Sequence, residues 1–509
     1  MPEIPAAGEL FGFLKLNARA IAPQLHLIVW GLGLLCIDFI LPGRGTRVLG
    51  FRGKSLSVLF ALVGLLAASL QLWRLWGTGN GEAFYKMVTQ DAFSEVFGLL
   101  FLVSAILAVA LSYRHLDVED AQHSEYYAIL LFATSGMMFM AGAIDLVTIF
   151  VGLELMSVST YILVGFLRRQ RRSNEASMKY FLMGAFSTAI ILYGMSLLYG
   201  ISGSTNLNVI AQEAAKREDN TLLILALFLM LAGLCFKIAA VPFHMWAPDA
   251  YEGAPTGITA FMSVAVKGAA FAVFLRIFYV TFHDFHDLYM GVLAVIAMAT
   301  MTWGNVAAVT QQNVKRLLAY SSISHAGFVL MGLVVGTQQG VSASVVYLFA
   351  YTFMNLGVWA IVILLRRRDV IGESIEDFNG LYFKHPGLAI LNLIFFLSLA
   401  GIPPLAGFIA KYAVFAAVIE SAMAAGQAHG QLLIWLAVVA ALNAVVSLFY
   451  YLRIVVAMFI ERESLPVPLS FSVGVWFVLL VTGFFTIAMG IYPDPFFNLA
   501  RIASLPLVF

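Results

Sequence analysis

The sequence predicts an all-α polytopic membrane protein, and three observations carry that expectation. The 509 residues are 61% hydrophobic and only 11% charged, whereas a soluble globular chain is about half apolar and about a quarter charged. Apolar runs long enough to span a bilayer, about 20 residues each, recur about fourteen times. Two of these runs are interrupted by proline beside a lysine, at Pro242 after Lys237 and at Pro403-Pro404 before Lys411. Proline in a helix interior removes a backbone donor and clashes with the preceding turn. At membrane depth such a break persists only where it is buried in protein or lines a wet cavity. The formal net charge of +1 gives no electrostatic case for nucleic acid. Cys36 and Cys235 have neither metal nor cluster spacing.

In chain order, the first two runs lie near 25–42 and 55–76 and flank a basic loop with Arg44, Arg47, Arg52 and Lys54. No basic region or convincing cleavage site precedes them, so no removable signal peptide is expected. Gly53-Lys54-Ser55 hints at a phosphate-binding loop, but the first glycine of that motif would fall on Val48, and the stretch opens an apolar run instead of following a strand. The third run, near 92–112, leads to an acidic loop from Arg114 to Glu125. The fourth and fifth, near 125–143 and 145–167, are followed by Arg168, Arg169, Arg171 and Arg172. The sixth lies near 177–201, and the seventh, 221–247, is the first broken one. The eighth, ninth and tenth lie near 256–281, 287–310 and 316–336, with Lys315 and Arg316 before the tenth. The eleventh, near 342–365, ends at Arg366, Arg367 and Arg368, and the twelfth, 387–420, is the second broken one. The last two lie near 431–459 and 471–492. With this count all four basic loops fall on one side, which is then cytoplasmic, and both termini are periplasmic. The acidic loop lands on that side against the trend.

Ionisable side chains within such runs are expensive and mark ion or proton pathways. Glu154 lies mid-run among apolar neighbours. Its bland alternative is a structural carboxylate paired to a neighbouring helix. Lys237, Lys267 and Lys411 are the basic counterparts, for which snorkelling to the interface is the alternative. His325, in the tenth run, and His244, at the first break, titrate near neutral pH with little help. For His325 a proton carrier and a hydrogen-bonded core histidine are equally good readings, and for His244 the core reading is better. Asp145 reads as a helix cap. Arg276 and Arg453 read as interface or helix-pinning residues.

The chain also repeats itself at a spacing of five runs. Ser157-Val-Ser-Thr160 resembles Ser322-Ile-Ser-His325, and Tyr180-Phe-Leu resembles Tyr347-Leu-Phe. The Pro242 break matches Pro403-Pro404, and Leu275-Arg-Ile277 matches Leu452-Arg-Ile454. An odd number of crossings inverts the second copy, and paired broken helices in inverted halves point to a transport site. Glu154 has Ala319 as its counterpart, so the two halves are not chemically equal.

The stretches Phe236-Lys-Ile-Ala-Ala-Val-Pro-Phe-His-Met-Trp-Ala-Pro-Asp-Ala-Tyr-Glu-Gly-Ala-Pro-Thr and Lys315-Arg-Leu-Leu-Ala-Tyr-Ser-Ser-Ile-Ser-His-Ala-Gly resemble the antiporter-like subunits of respiratory complex I. Lys179-Tyr-Phe-Leu-Met-Gly-Ala and Ser398-Leu-Ala-Gly-Ile-Pro-Pro-Leu-Ala-Gly-Phe narrow the likeness to the subunit N branch of the NADH–quinone oxidoreductase. The likeness covers Tyr126 to Phe459. It implies two inverted five-helix bundles, each with a broken helix, and a mid-membrane line of protonatable groups. On this sequence those are Glu154, Lys237, Lys267 and Lys411, to which the residue-level reading adds His325. The expected organisation is N-terminal helices at 1–120, repeats at 121–285 and 286–460, and a C-terminal helix at 461–509.

The resemblance implies a proton-translocating subunit in a bacterial inner membrane, driven by quinone reduction elsewhere in the complex. Flavin, iron–sulfur clusters and quinone are expected in partner subunits and none in this chain. Expected neighbours are other membrane-arm subunits and the lipid bilayer, with no nucleic acid. The alternatives are a stand-alone cation/proton antiporter and the equivalent subunit of a photosynthetic ferredoxin-linked complex.

Overall fold

The computed structural model describes residues 17–40, 47–48, 51–78, 81–216, 220–366, 372–461 and 472–507. The basic loop from Arg44 to Lys54, Arg367 and Arg368 lie outside the residues whose side chains are described. Helices α1 (Ala22–Ile40), α2 (Gly53–Leu75) and α3 (Ala92–Val118) come first. Strands β1 (Arg47–Val48) and β2 (Phe51–Arg52) pair antiparallel. A second pair, β3 (Gly81–Ala83) with β4 (Val88–Gln90), matches Gly81 with Gln90 and Ala83 with Val88 before α3. Then follow α4 (Ser124–Gly142), α5 (Leu146–Val164), α6 (Arg171–Ser202), the short α7 (Leu207–Ala215), α8 (Thr221–Lys237) and α9 (Trp246–Gly253). The long α10 runs Thr256–Val280 with a π turn at Met262–Val266. After it come α11 (His286–Val309), α12 (Val314–Val335) and α13 (Gln338–Leu365). The last helices are α14 (Leu381–Lys384), α15 (Pro386–Ala400), α16 (Ala406–Ala424), α17 (Gln427–Phe459), α18 (Val473–Ile491) and α19 (Asp494–Ser504).

Among the described residues, 11 helices are long and apolar enough to cross a membrane. Three shorter apolar helices, Ala22–Cys36, Thr221–Lys237 and Pro386–Ala400, lie in the first, seventh and twelfth expected runs. The boundaries are set by local chemistry. Asp91 accepts from Ser94 N while Ser94 reciprocates, a capping box that starts α3. Asp145 and Asn313 cap α5 and α12 through their side chains. Gly203 and Gly336 end α6 and α12 at φ 68° and 69°, where a side chain would be strained.

The core is built on α10, α12 and α13. The apolar windows of α10 and α13 are wholly buried. The outer helices keep apolar faces exposed, with Phe181, Phe186 and Tyr193 on α6 and Trp435, Leu442 and Phe449 on α17. A water-soluble surface rarely carries continuous apolar faces of this kind, and a bilayer is the solvent that accepts them.

Two matching clasps tie loops to helix starts. Leu146 N donates to Thr205 O and Leu207 N to Ile144 O. Val314 N donates to Glu373 O and Ile375 N to Gln312 O. Each member of the second set falls the same number of residues after its counterpart. The first clasp holds the N-terminus of α5. In the second, Glu373 also pairs with Arg172 at the start of α6, beyond the other end of α5.

The arginines behave similarly, and Arg276 corrects the interface reading. It is 2% exposed, forms a bidentate pair with Asp91 at 2.9 Å on both arms, and donates to Ala141 O at the end of α4. Arg453 donates to Val309 O at 3.0 Å and to Gln311 O, pinning α17 to the end of α11.

Candidate functional site

Both broken runs stop well short of where apolar composition alone would end them. Lys237 is the last residue of α8 and not an interior one, as the sequence suggested. The chain then passes through Val241-Pro242 before α9 begins at Trp246. The residue before proline disfavours the helical region, so the helix unwinds ahead of it. In the second break α15 stops at Ala400, Gly401 turns at φ 89°, and α16 starts at Ala406. Both interruptions contain a cis X-Pro bond, Val241-Pro242 and Pro403-Pro404.

The three lysines do not snorkel. Lys237, Lys267 and Lys411 are 4%, 4% and 6% exposed, and each ammonium is held by a different kind of partner. Lys237 Nζ donates to Ser157 Oγ of α5 at 2.9 Å. As the end of α8 it also sits at the negative pole of a helix dipole. Lys267 follows the π turn directly and donates to Ser322 O at 2.8 Å and Ser322 Oγ at 2.6 Å. Single π turns inside α-helices are frequent at functional sites. Lys411 Nζ donates to Ala400 O at 2.6 Å and Leu399 O at 3.2 Å, the last carbonyls of α15.

His325 joins the second half of this row. Its Nδ1 is 2.7 Å from Tyr347 Oη and its Nε2 3.1 Å from Tyr451 Oη. Lys267 and Lys411 both lie within electrostatic range of it. Phe328 stands between, 5.2 Å from Lys411 Nζ and 6.4 Å from the imidazole.

Glu154 is half-buried, not enclosed as the sequence suggested. Its Oε1 is buried without a hydrogen-bond partner among the described residues. It sits within electrostatic range of Lys237 but forms no direct ion pair with it, because Ser157, one turn along α5, takes the ammonium. Between Lys237 and Lys267 stands an aromatic ladder. The Lys237 ammonium is 6.0 Å from the Tyr161 ring, Tyr161 meets Tyr180 edge-on at 4.6 Å, and Tyr180 stacks on Trp246 at 4.4 Å. Trp246 meets Tyr251 at 6.3 Å, and Tyr251 lies 5.9 Å from Lys267 Nζ. Cations at this range are attracted to ring faces.

The structure thus gathers Glu154, Lys237, Lys267, His325 and Lys411 into one row crossing α5, α8, α10, α12 and α16. His244 stands apart at the first break, buried, edge-on to Trp303 at 5.9 Å. Sequence reading missed the partners. Ser157 and Ser322 served it only as repeat markers, although Glu154/Ser157 and Ser322/His325 are each three apart and share a helix face. It also missed Tyr347 and Tyr451 as the hydroxyls on His325.

One membrane face carries a connected ion-pair network. Arg172 pairs with Glu252 at 2.5 Å and Glu373 at 3.8 Å, and Arg316 with Glu252 at 2.8 Å. Arg366 joins Glu373 to Glu119, both at 2.8 Å, and Lys315 reaches Glu373 at 3.6 Å. Three expected basic loops therefore share one face. Glu119 places the acidic loop there too, where it neutralises Arg366. Among the described residues no group of three or more His, Cys, Asp or Glu is placed to hold a metal.

A family model described as "NADH:quinone oxidoreductase/Mrp antiporter, TM" matches residues 143–442. The chain is 46% identical to "NADH-quinone oxidoreductase subunit N 1" of Koribacter versatilis over 498 residues, covering 94% of each. It matches a chain of respiratory complex I from Thermus thermophilus with TM-score 0.76 at 32% identity, covering 94% of this chain and 99% of that one. A chain of the Mrp complex from Dietzia shares the fold, with TM-score 0.79 at 21% identity and 97% coverage of each.

Proposed function

The chain belongs to the NADH:quinone oxidoreductase/Mrp antiporter family, in its subunit N branch, and from that premise we propose that the buried row is its proton-translocating machinery. The row runs Glu154, Lys237, Lys267, His325, Lys411, and the observation that carries the proposal is that every basic member is buried yet held by a polar partner. Each ammonium is anchored by a serine or by helix-end carbonyls, and the imidazole by two hydroxyls, so each has a defined place from which to gain or lose a proton. A change of charge on one member alters the field at the next, because low-dielectric surroundings screen little. Glu154, with an unpaired oxygen near Lys237, is the group best placed to receive a signal from outside the row.

The energy comes from elsewhere in the complex. Moving one charge against the membrane potential costs about 2.3 kcal/mol per 100 mV. Flavin, iron–sulfur clusters and quinone belong to partner subunits in this reading, and this chain carries no redox centre. Residues 121–285 and 286–460 form two inverted repeats. The matching clasps at the starts of α5 and α12, and the arginines pinning α4 and α11, support that division. The face of the ion-pair network is cytoplasmic by its basic loops, which puts both termini in the periplasm of a bacterial inner membrane.

A stand-alone exchanger is the competing reading, and the likeness to the Mrp chain bears only on fold. The test uses the whole membrane complex in inverted vesicles. Lys267→Met is expected to lower NADH-driven proton uptake by about tenfold or more while subunit content stays normal. The purified chain alone in liposomes is expected to exchange no cations. Normal uptake in the variant, or exchange by the lone chain, contradicts the proposal.

A further inference from the structure

The row needs a supply of protons from one face. A second set of polar atoms reaches that face. His115, on α3, is 2% exposed, and both ring nitrogens are buried with no hydrogen-bond partner among the described residues. Thr256 Oγ1, at the start of α10, is buried and unpartnered in the same way, at 1% exposure, and Tyr251, on α9, is fully buried with its hydroxyl beside Ser322, the residue that holds Lys267. Buried polar groups are nearly always satisfied by protein or by ordered water. The two His115 nitrogens and the Thr256 hydroxyl describe a place built to hold water, since a buried water needs several polar partners around it.

The packing connects them. Gly257 abuts α3 so closely that a Cβ there would collide with the Ser112 side chain. His115 is one turn along α3 from Ser112, on the same helix face, and so lies beside the Thr256 end of α10. Lys315 closes the outer side. It donates to Ala254 O at 2.8 Å, two residues before Thr256, and faces Glu373 at 3.6 Å. Arg366 and Glu119 complete the charged rim, and both Lys315 and Arg366 are within electrostatic range of His115. On the inner side the Tyr251 carbonyl accepts from Thr259 Oγ1 at 3.0 Å, and its ring lies 5.9 Å from Lys267 Nζ. The string therefore starts at the ion-pair face and ends at the row.

We propose that His115 is the proton-accepting group of an uptake path that passes from the Glu373–Lys315–Arg366 rim, by Thr256 and Tyr251, to Lys267. The proposal rests on the row being a proton path. Within it, His115 has two roles that the chemistry of imidazole joins. One nitrogen accepts a proton from water on the rim side, and the other releases a proton inward.

The test uses the intact complex in inverted vesicles, with His115→Leu, His115→Gln, Thr256→Val and Lys267→Met measured together for subunit content and NADH-driven proton uptake across a range of external pH. Both His115 variants are expected to lose about tenfold of uptake at normal subunit content, and His115→Gln to lose the part of the pH profile that the imidazole contributes. Thr256→Val keeps the shape of threonine and removes its hydroxyl; it is expected to slow uptake, and it decides the question if the His115 variants do not assemble. Normal uptake in His115→Gln overturns the proton-accepting role, and normal uptake in Thr256→Val overturns the path. If Lys267→Met also pumps normally, the row itself is at fault. If only the His115 and Thr256 variants pump normally, the row stands and the uptake path through His115 falls.

Discussion

The two broken helices use lysine in opposite ways. In the first, Lys237 ends α8 ahead of the break, donates to a serine, and has Glu154 within electrostatic range. In the second, Lys411 lies past the break, in α16, and reaches back to the last two carbonyls of α15. Its half has Ala319 where the first half has Glu154. The arginines repeat the contrast. Arg276 is neutralised by Asp91, whereas Arg453 is held by backbone carbonyls. In these two pairs of residues the first half sets an acid near the cation, and the second half offers only fixed backbone dipoles. An acid can change its charge and a carbonyl cannot, so the partner of Lys237 can take part in switching whereas the partners of Lys411 only hold it in place.

The largest effect expected from this contrast is on stability. Asp91→Ala leaves Arg276 buried without its counter-charge, a loss of about 3–5 kcal/mol, and the chain should fail to accumulate in the membrane. Arg453→Ala removes charge-assisted bonds to carbonyls and should cost about 1.5–3 kcal/mol, read as a lower thermal midpoint in detergent with the complex still formed. Equal losses in the two variants would erase the distinction between the halves. Next comes function. Glu154→Gln keeps size and hydrogen bonding but removes titration, and should lower proton uptake by about tenfold with subunit content unchanged. Parallel loss of content and uptake would make Glu154 a structural group. Lys411→Met should lower uptake and stability together, because the Leu399 and Ala400 carbonyls lose their donor, at about 1–3 kcal/mol. A Lys411→Met complex with wild-type melting would show that the carbonyls find other partners and that the dipole anchor is dispensable.

Much of this was legible in the sequence, for identifiable reasons. Long apolar runs locate spanning helices because hydrocarbon leaves few other choices, and each of the 11 long apolar helices among the described residues overlaps an expected run, whereas the short helices Leu207–Ala215, Leu381–Lys384 and Asp494–Ser504 lie outside them. Pro242 and Pro403-Pro404 located the breaks, since proline acts through the backbone and needs no tertiary context. Lys237, Lys267, Lys411 and His325 were visible because charge is rare in apolar runs. What the sequence could not supply was pairing. Ser157 is an ordinary helix residue until Lys237 of α8 is brought beside it. Tyr451 lies more than a hundred residues from His325, and no local pattern links them. Asp91 reads as a loop acid until Arg276 arrives from α10. His115 escaped notice because it lies near a basic and acidic loop, where a histidine is unremarkable unless its burial is known.

The central claim is that Lys237 carries protons and is not merely a fixed charge opposite Glu154. Methionine at this position fills similar space and takes up no proton, and arginine stays charged at every working pH. The most direct measurement is NADH-driven proton uptake by inverted vesicles holding Lys237→Met or Lys237→Arg complexes, with subunit content checked in each. The account predicts that both variants lose about tenfold or more of uptake while the complex remains intact. Wild-type uptake in Lys237→Arg would contradict it, reducing Lys237 to a counter-ion and leaving Lys267 and His325 to carry the proton.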